Sequence, residues 1–133
     1  MIFDPEIYCS AAEVAELDGT EPLTLTGSGL WVGVLSRGVC LLDGFDRPGQ
    51  SGDILLGAAP LTLTPQTDCH LLGVRLAGHC TDAYLLQLGA PRWADGAACP
   101  GAAELLAQLH GVRTPAMAYA LLCAIDRADE TAR

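Results

Sequence analysis

Lysine is absent from this 133-residue chain, and that narrows the field at once. Seven arginines carry all the strong positive charge against sixteen acidic residues, for a net charge of −9. Arg37, Arg47, Arg75, Arg92, Arg113, Arg127 and Arg133 are scattered singly. Nucleic-acid binding needs clustered bases to neutralise phosphates, so the chain by itself is not expected to bind DNA or RNA. Long apolar runs are missing too. None approaches the roughly 20 residues of a membrane-spanning helix, so no membrane partner is expected. The opening "MIFDPEIYCS" has neither a basic stretch nor an apolar one, which predicts no signal peptide and a cytoplasmic location.

Several chemical signatures are also lacking. Six cysteines are present (Cys9, Cys40, Cys69, Cys80, Cys99 and Cys123), but no Cys-x-x-Cys spacing occurs. Reduced, mostly buried thiols are expected rather than disulfides. His70, His79 and His110 never pair at strand or helix spacing, and the run Gly29 to Asp43 holds no His or Glu. A metal site needs three or four converging ligands, so no metal and no cofactor is expected. Cys69 and His70 are adjacent on a strand, where neighbours point to opposite faces, so they form no catalytic pair. No Gly-x-Ser-x-Gly occurs, and "GSG" at Gly27–Gly29 precedes a strand, whereas phosphate loops precede a helix. General acid/base chemistry has no visible address, and the chain is not expected to be an enzyme.

Half of the residues are hydrophobic, enough for one domain with a real core. Two textures divide it. Residues 1–78 read as strands and turns. "PLTLTG" and "PLTLTP" alternate apolar and polar residues with period two. "GLWVGVLS" is nearly all apolar and predicts a strand buried on both faces. Arg37-Gly38 turns the chain, and "VCLLD" is expected to return as its hairpin partner. "FDR", "ILLG" and "DCHLLGVRLAG" complete seven or eight short strands. "AAEVAEL" fits either a strand or a short helix. Such spacing predicts a sandwich or small barrel.

Residues 79–133 are rich in alanine and leucine and read as helical. A short helix runs through "AYLLQLG", capped at Thr81 or Asp82 and stopped at Gly89. "APRWADGAACP" reads as a loop. Pro100 is placed at the first position of "GAAELLAQLHG", and Thr114-Pro115 opens the last helix as cap and first residue.

A barrel without metal can still hold a small ligand in its mouth. Alternation puts Trp31, Gly33 and Leu35 on one face. Gly33 leaves room there for a ligand or for another side chain. Arg75, alone in an apolar strand, suits ligand contact or an edge-strand salt bridge. Tyr8 and His70 are further candidates. On the last helix the apolar stripe is wide, so one face packs on its own domain. The alanine-rich remainder, with Ala116, Tyr119, Ala120 and Cys123, is the candidate dimer face.

The order of parts over residues 28–125 resembles the N-terminal cupin-type effector-binding and dimerisation domain of AraC-family transcription regulators. Gly38, Gly49, Gly52-Asp53, Pro60, Gly78 and Leu88-Gly89 carry the resemblance. It implies a mostly β, cupin-like jelly-roll barrel (1–78) followed by three helices of the same domain (79–133). It further implies sensing of an unknown small-molecule effector, a homodimer, and DNA contact only through a separate helix-turn-helix domain absent from this sequence. Metal-dependent cupins carry histidines and a glutamate on the first hairpin and a histidine near Pro60. Those are missing here, as they usually are in the regulators. A standalone cupin enzyme of isomerase or dioxygenase type is the alternative.

Overall fold

The computed structural model describes residues 5–132. Residues 1–4, on which the reading of an absent leader partly rests, lie outside that range, as does Arg133. Eight strands form two antiparallel sheets: β1 (Ser10–Gly19), β2 (Leu23–Leu25), β3 (Leu30–Arg37), β4 (Cys40–Leu42), β5 (Ile54–Ala58), β6 (Leu61–Pro65), β7 (Cys69–Ala77) and β8 (Arg92–Ala94). The larger sheet has the order β1-β7-β3-β5-β8 and the smaller β2-β6-β4. Among the described residues there are three α-helices, α1 (His79–Leu88) before β8, and α2 (Ala102–Gly111) and α3 (Pro115–Ala132) after it. The layers run small sheet, large sheet, helices. The protein is mostly β with C-terminal helices, as expected. The ladders do not close the two sheets into a barrel.

The apolar strand β3 lies at the centre of the large sheet. Val32 and Trp31 are both essentially inaccessible although they point to opposite faces. Each face therefore has its own core. Trp31, Leu35, Leu55, Leu61, Leu63 and Leu71 fill the space between the sheets. Leu30, Val32, Leu56, Val74 and Leu76 meet Leu106, Leu109, Leu121 and Ile125 on the helical side.

Several local expectations are corrected. "VCLLD" does not return against β3. The β3 edges are occupied by β5 and β7, and Gly38, at φ 90°, sends the chain out to pair β4 with β6. "FDR" is no strand; the Phe45 amide closes a turn onto the Leu42 carbonyl at 3.1 Å. The ambiguous "AAEVAEL" lies in β1, drawn in by pairing with β7. Pro100 precedes α2, whose N-cap is Gly101. Helix α1 begins at His79, before both proposed caps, and Thr81 is buried within it. By contrast, Thr114 does cap α3, its hydroxyl accepting from the Met117 amide at 3.2 Å. The loop "APRWADGAACP" contains β8, which adds to the exposed edge of β5 with Leu55 opposite Trp93.

Candidate functional site

The six residues expected around a ligand are not gathered in one place. Trp31 and Leu35 do share the inter-sheet face and are fully buried there. The Trp31 indole N–H donates to the Thr26 carbonyl at 2.9 Å. The room at Gly33 is taken by a side chain: a Cβ there would lie 3.1 Å from Leu71 Cδ2. Arg75 reaches the rim. Its Nε donates to Glu13 on the edge strand β1 at 3.0 Å and its Nη1 to the Ser28 carbonyl at 2.7 Å. His70 sits at the far end of β7 between Ser36 and Glu16, at 2.7 and 3.0 Å. Tyr8 lies on the other side of the large sheet, beside α3.

A cavity of about 400 Å³ opens on the helical side, between β8, the end of α1 and α3. Its position depends on the Gly49–Asp53 corner. Asp53 accepts from the Gln50 amide at 2.9 Å and from Arg47 at 2.8 Å. Arg47 in turn donates to the Trp93 carbonyl at 2.9 Å. The Trp93 ring lies flush on Gly49, where a Cβ would sit 2.3 Å from Cε2. With Trp93 turned to the inter-sheet side, alternation along β8 turns Arg92 to the helical side.

There Arg92 Nη2 donates to Asp129 Oδ1 of α3 at 2.5 Å, and the Tyr84 hydroxyl of α1 donates to Asp129 Oδ2. Three elements thus meet on one carboxylate. Burial pushes the Tyr84 phenol well above its usual pKa, and the hydrogen bond to Asp129 adds to the rise. Among the described residues Arg92 Nε is buried without a hydrogen-bond partner, and a buried donor left unmet loses its solvation without compensation. The remaining wall is mostly apolar and includes Ile54, Leu56, Leu88 and Ile125.

A second cavity, about 560 Å³, lies between the N-terminal segment and the start of α3, lined by Tyr8, Cys9, Cys80, Pro115, Ala116 and Tyr119. Along α3, Ala118, Leu121, Leu122 and Ile125 are buried. Ala116, Tyr119 and Ala120 are exposed and Cys123 half-exposed. These four candidate dimer residues follow i, i+3, i+4, i+7 spacing and so share one face.

The six cysteines are free thiols. Among the described residues no group of three or more His, Cys, Asp or Glu side chains is placed to hold a metal ion, and no helix is long and apolar enough to cross a membrane. Comparison with protein-family models and with curated proteins finds no match.

Arg92 and Asp129 were missed as site residues by reasoning from sequence. A tryptophan inside a presumed loop, in "PRWA", was the available signal: a large apolar ring needs burial, and burying it fixes the direction of its neighbour. Asp129 carried no signal, because acidic residues near a helix end are ordinarily solvated.

Proposed function

We propose that this chain is the effector-sensing and dimerisation module of an AraC-type transcription regulator, built on a cupin-type scaffold. DNA contact belongs to a separate helix-turn-helix domain. One observation carries the reading: α3 forms a wall of a ligand-sized cavity through Asp129 and presents, earlier along its length, a face of Ala116, Tyr119, Ala120 and half-exposed Cys123. On this reading one helix would touch both the effector and the second subunit. The effector site moves, on this reading, from the filled inter-sheet space to the helical side.

Such a module works only if the effector binds one arrangement of α3 better than another. Sedimentation velocity of the 133-residue chain over a range of concentrations tests the interface. A concentration-dependent dimer is expected. Tyr119→Asp, placed on an exposed side chain, should yield a folded monomer with an unchanged far-UV spectrum. A wild-type chain that stays monomeric at high concentration would overturn the role given to α3.

A further inference from the structure

We propose that the helical-side cavity takes a small carboxylic acid with an apolar body, which binds by replacing Asp129 on the Arg92 guanidinium. This rests on the effector-sensing reading and names the ligand class for it.

The reasoning starts from an arginine whose fork is half used. Nε and Nη of a guanidinium match the two oxygens of one carboxylate. Here Asp129 divides its oxygens, one to Arg92 Nη2 and one to Tyr84. Arg92 Nε is left buried and unmet. Asp129 is a built-in but imperfect occupant of a carboxylate site. An incoming carboxylate that presents both oxygens to the fork satisfies Nε as well. The exchange brings one negative charge into the cavity and leaves Asp129 held by the Tyr84 hydroxyl alone.

The wall selects the rest of the ligand. Ile54, Leu56, Leu88, Ala98, Ile125 and Ala128 supply the apolar stretch of the wall, and Gln87 and Asp95 are its polar members besides Arg92 and Asp129. Sugar hydroxyl groups turned to the apolar stretch would go unpartnered, and buried hydroxyls without partners disfavour binding. A short aliphatic or aromatic acid brings one polar end for Arg92 and apolar surface for the wall. A cavity of about 400 Å³ is of the size that small ligands occupy.

Exchange has a consequence for α3. Arg92 and Tyr84 tether Asp129, near the end of α3, to β8 and α1. An acid on Arg92 takes one of those tethers, so the final turns of α3 loosen.

Hexanoate and benzoate, with hexanamide and benzamide as uncharged controls, are titrated into the full chain by calorimetry at pH 7. Binding of at least one acid and of neither amide is expected. Asp129→Asn removes the competing charge and should tighten that acid on the order of tenfold, one lost charged hydrogen bond converted to affinity. Arg92→Gln should abolish binding. Far-UV dichroism and a cooperative thermal transition confirm that each variant is folded. Amide exchange in the last turns of α3 should quicken with acid bound to the wild type.

Equal acid affinity in wild type and Asp129→Asn would overturn the exchange. Binding of amides, or of sugars in a parallel thermal-shift series, that a cavity-filling Ala128→Trp abolishes would sink the carboxylate proposal and leave effector sensing standing. No stabilisation of wild type or Asp129→Asn by any of these compounds would sink the carboxylate proposal and remove the support for a ligand site here.

Discussion

The two faces of the large sheet meet different company. Between the sheets, Trp31, Leu35, Leu55, Leu63 and Leu71 interlock, and the gap left by Gly33 is filled by Leu71. Toward the helices the core is apolar near α2, but it frays at β8 into a cavity lined in part by Arg92 and Asp129. The difference follows from what covers each face. A second sheet lies flat and its leucines interdigitate at crystal-like density. Helices are cylinders, and three of them over a twisted sheet leave a gap at the edge where the last short strand was added. One face is filled and the other leaves a cavity.

The sharpest way to break that comparison is to truncate the centre of the packed face. Trp31→Ala should cost about 3–5 kcal/mol, because the ring is fully buried and the surrounding leucines can collapse only partly. Urea unfolding followed by circular dichroism measures it. A loss under about 1 kcal/mol would mean that the inter-sheet space relaxes freely, and the idea of a filled, rigid face would fail.

Alkaline pH tests the same face through a thiol. Burial, with Cys69 close by, pushes the Cys40 thiol from 9.0 up to about 12. The folded chain therefore keeps this proton after the unfolded chain has lost it. The associated stability is fully present below about pH 9 and drains away as pH rises toward 12. Cys9, Cys99 and Tyr84 are also raised, so they tilt the curve the same way. Expected is a falling unfolding free energy above pH 9, less steep in Cys40→Ala than in the wild type. Identical slopes in the two proteins would show that Cys40 is not held dry.

How much of this was legible beforehand divides along the same line. The packed face was: period-two patterning in "PLTLT", the apolar run of β3 and the shared side of Trp31, Gly33 and Leu35 all follow from side-chain alternation. So was the cap at Thr114, since a hydroxyl before a proline at the first helical position has a local cause. Strand pairing was not. Gly38 announced a turn but not that β7 and β5 would claim both edges of β3, because edge competition is a long-range matter. The cavity was less legible still. Arg92 and Asp129 are 37 residues apart and meet only because the Gly49–Asp53 corner seats Trp93. Within that corner Asp53 accepts the Gln50 amide. Its further effect, aiming Arg92, passes through a strand that the sequence reading assigned to a loop.

The smallest expected effect lies at the rim of the packed face. Arg75 is the register partner of Trp31 and so sits on the same side. It differs by ending at the surface, where Glu13 is about half exposed at 48% of its side chain. Water screens that ion pair, and holding two flexible side chains together offsets part of the attraction. Glu13→Gln should therefore change stability by less than about 1 kcal/mol, and less again at high salt. The guanidinium keeps the Ser28 carbonyl at 2.7 Å in the variant, so it is not left bare. Urea unfolding at low and high salt gives the number. A loss of several kcal/mol, insensitive to salt, would mean that the rim is as dry as the centre and that the packed face extends to the edge strand.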